Sequence, residues 1–179
     1  MSSRSSLRYS RGMTLIELMI VIIILAVVIA IAAPSFTQVI KTNRMRTETN
    51  KLVAALNYAK SEAVKRNTVV TLCASSTGNS CTGNLQEGWL IHTGTPASPL
   101  RVSEGLASRY TITNNVGVPA TGNIAFSPDG STPDDQILLV CAPDKKIEDA
   151  WSVTLTTVGK PMIRVGITSE GGVDWKCVP

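Results

Sequence analysis

Arg11-Gly12-Met13-Thr14-Leu15-Ile16-Glu17-Leu18 opens the stretch of sequence that decides the fold, and apolar residues continue from it without a break to Ala33. A helix needs about 20 apolar residues to cross a bilayer, so this run is long enough to do so. A carboxylate inside such a helix costs roughly 2.5–3.5 kcal/mol on insertion scales, and charges retained there tend to serve a function. Glu17 is therefore the first candidate functional residue.

Two simpler interpretations of the apolar run compete with a functional one. The run could be the core of a secretory signal peptide, with arginines before it and Ala30-Ile31-Ala32 as a small-residue cleavage site. It could also be a plain single-pass anchor with an incidental glutamate. The signal peptide would need an unusually long apolar core, and neither interpretation gives Glu17 a role.

The hexapeptide Gly12-Met13-Thr14-Leu15-Ile16-Glu17 resembles the prepilin processing site of type IV pilins and type II secretion pseudopilins. The resemblance implies that a membrane prepilin peptidase cleaves after Gly12 and N-methylates the new amino terminus at Met13. It also implies that Glu17 acts in filament assembly. In lipid, a carboxylate and a nearby ammonium group relieve each other's desolvation. The amine of Met13 on one subunit is thus the expected partner of Glu17 on its neighbour.

Charge and length indicate where the rest of the chain lies. The protein has 179 residues and a net charge of +4, and residues 1–12 contain three arginines. Because positive residues stay on the cytoplasmic side, the leader keeps the amino terminus there. We therefore expect a single-pass inner-membrane protein whose part beyond Pro34 is periplasmic. By its resemblance to pilins, it would later be carried to the pilus and the cell surface.

Three segments follow from the residue pattern. Residues 1–12 are a leader that is cleaved, residues 13–66 form one long helix that is transmembrane to about residue 33, and residues 67–179 form a β-rich domain. The second half of the helix has charged residues on one face, Glu48 and Glu62 among them. Its other face carries an apolar stripe that needs a partner: Met45, Leu52, Leu56, Ala59 and Ala63.

β-Branched and aromatic runs separated by turn residues predict strands after the helix. The expected strands are residues 68–74, 87–92, 110–113, 123–127, 137–142, 151–157 and 162–168. The predicted fold class is α+β, with a long N-terminal helix packed on an antiparallel β-sheet domain. The resemblance to type IV pilins implies that this is a type IV pilin-like fold.

The order of motifs after the apolar run resembles the GspH/FimT-like minor pilins, most closely the FimU/FimT group. The resemblance spans Gly12 to about Gly130 and rests on four segments: Asn57–Asn67, Val70–Cys73, Glu87–Ile91 and Phe126–Gly130. It implies a minor pilin that primes or assembles a type IV pilus near its tip, for twitching motility, adhesion or DNA uptake. The implied partners are other minor and major pilins, the prepilin peptidase, the inner-membrane assembly platform and membrane lipid. A type II secretion pseudopilin of the GspH kind is the alternative.

Four cysteines fit an oxidising compartment. No Cys-x-x-Cys pair occurs, which makes a zinc site improbable, and three disulfide connectivities are possible. We favour Cys73–Cys81, which closes a short loop of small polar residues, and Cys141–Cys177, which ties the C-terminal end to a strand.

Catalytic chemistry has few candidates in this sequence, so we expect neither an enzyme nor a cofactor. His92 is the single histidine and has no nucleophile or carboxylate beside it in sequence. The acidic pairs Asp134-Asp135 and Glu148-Asp149 lie in polar loops, where solvated turns are the default and an isolated calcium site is the alternative.

Some FimT-like minor pilins act in DNA uptake, and the resemblance implies a basic Gly-Arg-x-Arg motif near the C-terminal end. Here the corresponding stretch is Gly159-Lys160-Pro161-Met162-Ile163-Arg164, in which a proline intervenes and the second basic residue is displaced. Lys160, Arg164 and Lys176 are the candidate DNA contacts. Two or three such charges would bind phosphates weakly and in a salt-sensitive way. Solvated surface charge is the favoured interpretation of these residues.

Overall fold

The computed structural model describes residues 13–107, 109–114, 120–144, 146–166, 169–170, 173–174 and 176–177. The chain forms two compact units, residues 1–40 and residues 41–179. One helix, α1 (Leu15–Arg66), contributes to both. Its N-terminal part has the length and hydropathy of a membrane-spanning helix. In the first unit the large apolar side chains from Met13 to Ile40 are all exposed, by 39% to 77%, wherever side chains are described.

The second unit contains two four-stranded antiparallel sheets. The first sheet has the strand order β3-β2-β1-β5 and the second has the order β4-β6-β7-β8. The first sheet consists of β1 (Val70–Ala74), β2 (Gly88–His92), β3 (Pro99–Glu104) and β5 (Ile124–Phe126). The second sheet consists of β4 (Thr111–Asn114), β6 (Gln136–Cys141), β7 (Trp151–Leu155) and β8 (Pro161–Val165). A short 3₁₀ helix, Ile147–Asp149, precedes β7, and β9 (Ser169–Glu170) pairs with β10 (Val173–Asp174).

The core lies between the second half of α1 and one face of each sheet, which confirms the predicted fold class. All five residues of the predicted apolar stripe, from Met45 to Ala63, are at most 1% exposed. They form one cluster with residues of both sheets, including Leu72, Trp89 and Val153. Alternation along the strands explains this, because every second side chain points to the same face.

The sequence-based placement of Glu48 and Glu62 on the charged face of α1 is wrong. Glu48 is 5% exposed and Glu62 is 8% exposed. Glu48 accepts a hydrogen bond from the Ala107 amide at 3.2 Å and pairs with Lys51 at 2.9 Å. Glu62 pairs with Arg66 of its own helix at 2.5 Å. Both carboxylates therefore keep charged or polar partners at the margin of the core, as buried charges require.

Strand β3 was not predicted from the sequence, because the expected strands leave residues 93–109 unassigned. Proline opens the strand, and its residues are half-buried or exposed throughout. An edge strand of this kind lacks the apolar alternation that identifies a half-buried strand. The other strands of the two sheets lie within a few residues of the predicted bounds.

Two glycine turns join the sheets to each other and to α1. The turn after β5 ends at Gly130 (φ +80°), and the turn between β7 and β8 ends at Gly159 (φ +68°). A Cβ atom on Gly159 would overlap the Gly130 carbonyl oxygen, and one on Gly130 would lie 2.8 Å from the Lys60 side chain. Lys60 Nζ also donates to the Val158 carbonyl at 2.8 Å. The two turns approach so closely because neither residue has a side chain.

Replacing Gly159 with alanine is expected to destabilise the protein by about 2–4 kcal/mol, since it adds a backbone clash to the cost of a positive φ. Gly94 is the matched control, because it has φ +72° and no atom lies within 4 Å of the place that an added methyl group would occupy. Gly94→Ala should cost only about 1 kcal/mol. Guanidinium unfolding of the full chain in detergent measures the stability of both variants. Equal losses of stability would contradict the close contact between Gly159 and the Gly130 carbonyl oxygen.

Lys41, the first residue of the second unit, anchors α1 to the second sheet's connecting loop. Its Nζ pairs with Asp144 at 2.5 Å and also with Asp149, both of which lie between β6 and β7. The hydrogen bond from Lys41 holds the pKa of Asp144 below its usual value, against the effect of burial. Burial acts to lower the pKa of Lys41, but the two carboxylates outweigh it, so this pKa is raised.

Replacing Lys41 with methionine is expected to cost about 1 kcal/mol at pH 7, a small value because the Asp144 side chain is 40% exposed. The depressed pKa of Asp144 contributes stability above its unfolded pKa, about 3.9, that is lost as the pH falls through the folded value. The raised pKa of Lys41 contributes stability that is lost as the pH rises above about 10.4.

The difference in unfolding free energy between wild type and Lys41→Met should therefore be largest between about pH 5 and pH 9 and should shrink toward both extremes. Urea titrations within this window, below about pH 4 and above about pH 10.4 measure it. Lys65→Met is the control, because Lys65 is 76% exposed and lies 3.7 Å from Glu62. If the difference in unfolding free energy between wild type and Lys41→Met did not change with pH, the result would argue against the ion pairs.

Candidate processing and assembly site

Thr14 and Glu17 together form the start of α1. The Glu17 backbone N–H donates to Thr14 Oγ1 at 3.3 Å, and the Leu18 N–H donates to the Thr14 carbonyl at 3.1 Å. This is the threonine half of a Thr-x-x-Glu capping box, and a carboxylate in the first turn also interacts favourably with the helix dipole. Sequence reasoning missed Thr14 as a functional residue, although the spacing of Thr14 and Glu17 carries the signal.

Met13 lies immediately before this cap and is 59% exposed. The Glu17 side chain is also exposed, and it has no ion pair among the described residues. Gly12 and the leader, residues 1–12, lie outside the described residues. Glu17 therefore places an exposed carboxylate in the first turn of an apolar helix, close to the proposed new amino terminus.

The apolar surface of the first unit is too large to remain in water. Every large apolar side chain described between Leu15 and Ile31 is more than one third exposed. Monomeric proteins rarely leave contiguous apolar patches of more than a few hundred Å² uncovered. This surface must be covered by lipid, by other apolar helices, or by first one and then the other.

The structure contains two disulfides, Cys73–Cys81 and Cys141–Cys177, with Cα–Cα distances of 5.5 and 5.8 Å. These are the two pairs favoured from the sequence. The first closes the loop between β1 and β2. The second ties Cys177 to β6, where it packs against Leu139 and Ala150.

His92 is 7% exposed and lies with its Nε2 atom 3.6 Å from Cys81 Sγ. Burial lowers the pKa of His92, and a backbone hydrogen bond with Gly94 acts in the opposite direction. The potential ligand atoms of Cys73, Cys81 and His92 lie within 4.8 Å of one another. Both sulfurs are consumed in the disulfide, so neither is a thiolate that could bind a metal.

The acidic pairs of the polar loops have structural contacts. Asp135 Oδ1 accepts a hydrogen bond from the Thr157 backbone N–H at 2.6 Å, and Asp149 forms an ion pair with Lys41. Asp134 is exposed, and the Glu148 side chain lies outside the described part of the chain.

The three candidate DNA contacts do not form one patch. Arg164 lies on β8, opposite Ser152, and Lys160 lies just before that strand. The Lys176 carbonyl accepts a hydrogen bond from Thr113 Oγ1 of β4, at the other edge of the same sheet. Three strand spacings, about 14 Å, separate the two edges. All three side chains are exposed.

Comparisons with known proteins agree with this geometry. The model of the family described as type II transport protein GspH matches residues 48–159, and that of the prokaryotic N-terminal methylation motif matches residues 7–33. The first match covers more than half of the sequence, and the chain belongs to the GspH family. This places it among the minor pilins and pseudopilins, which are structural proteins. No curated protein matches the chain.

The two solved structures of a type IV minor pilin show the same fold. Two crystal forms of the type IV minor pilin FimU from Pseudomonas aeruginosa align with TM-scores of 0.59 and 0.56, each at 20% identity. They cover 76% and 74% of this chain and 96% and 99% of their own. The minor pseudopilin EpsH from the type 2 secretion system of Vibrio cholerae aligns with a TM-score of 0.49 at 11% identity, over 68% of this chain and 97% of its own.

Proposed function

We propose that this chain is a minor pilin that takes part in priming or assembling a type IV pilus, near the tip of the filament. The observation that carries the proposal is the uncovered apolar helix with Glu17 in its first turn, within the N-terminal methylation motif matched at residues 7–33. A helix of this kind can lie in lipid as a monomer and pack with other apolar helices in a filament. The pilus would serve twitching motility, adhesion or DNA uptake.

Processing is the first step of the proposed function. A membrane prepilin peptidase would cleave between Gly12 and Met13 and methylate the new amine. The cap at Thr14 supports this assignment, because α1 begins at Leu15 and its first turn is capped by a residue of the proposed mature chain. The mature subunit would then begin one residue before its helix cap.

Register-dependent assembly is the second step. The cationic amine of Met13 on an incoming subunit would pair with Glu17 of its neighbour. Opposite charges attract far more strongly in a low-dielectric interior than in water, and breaking a buried pair costs about 3–5 kcal/mol. Only the register that brings the two charges together avoids this cost.

The proposed location follows from the same helix. Before assembly the subunit would span the inner membrane once, to about residue 33, with residues 67–179 as a periplasmic domain. Its partners would be the peptidase, the assembly platform, membrane lipid and other minor and major pilins. After assembly it would lie in the pilus at the cell surface.

A type II secretion pseudopilus is the second candidate, favoured by the family description that matches residues 48–159. DNA binding is less well supported, since Lys176 lies at the opposite edge of its sheet from Arg164. A gel shift with the full chain at two salt concentrations tests it, and tight binding that survives high salt would favour a DNA receptor.

Mass spectrometry of sheared surface filaments and of membranes tests the proposed function. A chain that starts at N-methylated Met13 and is found in sheared pili is the expected result. The same processed chain found in membranes of cells that assemble only a secretion pseudopilus would favour the second candidate. A chain that starts at Ala33 would mean ordinary secretion and would overturn both.

A further inference from the structure

Strand β3 has a free edge. It pairs with β2 on one side, and no strand in the described part of the chain pairs with its other side. The N–H and C=O groups along such an edge can accept an added strand. The side chain of Val102, in the middle of β3, is 49% exposed.

A cleft lies on each face of the sheet beside this edge. The helix-side cleft, of about 430 Å³, lies between α1 and β3, with Trp89 in its lining. Arg101 and Ser103 line it because they lie opposite Ile91 and Trp89, whose side chains face the core. The outer cleft, of about 240 Å³, lies between Val102 and the loop from Ser75 to Gly78. Because side chains alternate along a strand, an added strand would place successive side chains in the two clefts.

The helix-side cleft is lined by the cation Arg101. Lys51 and Glu104 also line it, but Lys51 is already paired with Glu48 at 2.9 Å. The Arg101 guanidinium lies 5.2 Å from the centroid of the Tyr58 ring, and it has no carboxylate partner in the described part of the chain. Stacking on an aromatic ring holds a guanidinium in place while leaving its N–H groups free for a carboxylate.

We propose that the free edge of β3 and its two clefts form the docking site for an extended acidic segment of another pilin subunit. The segment adds to the sheet as a strand beside Pro99–Glu104. Its carboxylate pairs with Arg101 in the helix-side cleft, and the next side chain, an apolar one, packs against Val102 in the outer cleft. This inference rests on the proposed function, because that function supplies the partner.

Photo-crosslinking in cells that assemble filaments tests the docking site. A photoreactive phenylalanine replaces Val102 in the full chain, and the same residue replaces Val158, which is 66% exposed, as the control. At position 102 we expect at least five times more adduct with another pilin than at position 158. The crosslinked peptide should come from an extended segment that contains Asp or Glu. Equal yields at both positions, or a crosslink to a basic or helical segment, would overturn the proposal.

Charge variants are made in the chain that carries the photoreactive residue at position 102. They show whether the adduct depends on the charge of Arg101 or only on the closeness of the two chains. Arg101→Glu should lower the adduct at least fivefold, and Arg101→Gln should lower it by less. Lys65→Glu is the control at a side chain that is 76% exposed and remote in sequence from β3, and it should leave the adduct unchanged. If Arg101→Glu unfolds the protein, the comparison rests on Arg101→Gln. An adduct that is insensitive to Arg101 would overturn the acidic partner.

Mass spectrometry of the same filaments keeps the two proposals distinguishable. If the chain enters filaments with a methylated Met13 but gives no adduct above the control, the docking site alone is wrong. If the chain is absent from filaments and pseudopili, the proposed function fails first, and the docking proposal falls with it.

Discussion

Glu17→Gln is expected to leave the protein in the membrane and to reduce its incorporation into filaments at least tenfold. Glutamine can occupy the same position of the capping arrangement, so the start of α1 is preserved and only the charge is removed. The amine of the incoming subunit is then left without its counter-charge in a low-dielectric interface. A loss of about 1.4 kcal/mol already corresponds to a tenfold change, and a broken buried pair costs more.

Quantitative immunoblots of sheared filaments, normalised to membrane-bound protein, measure this effect. Thr14→Val is the matched variant, since it removes the Oγ1 cap observed at 3.3 Å and keeps the charge of Glu17. It should fray the first turn of α1 and lower incorporation by much less than Glu17→Gln does. Wild-type incorporation of Glu17→Gln would refute the proposed ion pair. A larger loss in Thr14→Val would mean that Glu17 serves chiefly to start the helix.

Leu56→Ala is expected to destabilise the second unit by about 3–4 kcal/mol. Leu56 is fully buried in the cluster that joins α1 to both sheets, so its removal leaves a cavity that the surrounding strands cannot readily fill. A loss of this size is a large part of the roughly 5–15 kcal/mol that typically stabilises a domain. The variant should therefore be degraded in cells more rapidly than wild type.

Guanidinium titration of the full chain in detergent, followed by the fluorescence of the buried Trp89 and Trp151, measures the change. Val64→Ala is the control on the same helix, because Val64 is 52% exposed and its truncation should cost less than about 0.5 kcal/mol. Equal shifts in the two variants would mean that the helix does not depend on this core for its position.

The sequence was sufficient for those parts of the fold that depend on local patterns. The spacing from Met45 to Ala63 identifies the buried stripe of α1, because a helix repeats about every 3.6 residues. The burial of Glu48 could not be read from the same spacing, since its partner, the Ala107 amide, lies 59 residues away. The partners of Lys41 are more distant still. Tertiary contacts of this kind leave no local pattern.

The candidate site was predictable to a similar extent. The motif from Gly12 to Glu17 contains the glutamate, the proposed cleavage point and, unrecognised, the capping threonine. The free edge of β3 was not predictable, because an exposed strand that begins with proline resembles a loop in sequence. Its two clefts depend on the loop from Ser75 to Gly78 and on α1, which reach β3 only through the fold.

The continuity of α1 across the boundary at Ile40 and Lys41 has a mechanical consequence. If the chain is assembled in a filament as proposed, tension on the apolar part of the helix would be carried along the helix backbone to Lys41. The two ion pairs of Lys41 connect the helix to the loop between β6 and β7. Because Lys41 precedes the buried stripe that begins at Met45, these ion pairs would be loaded first.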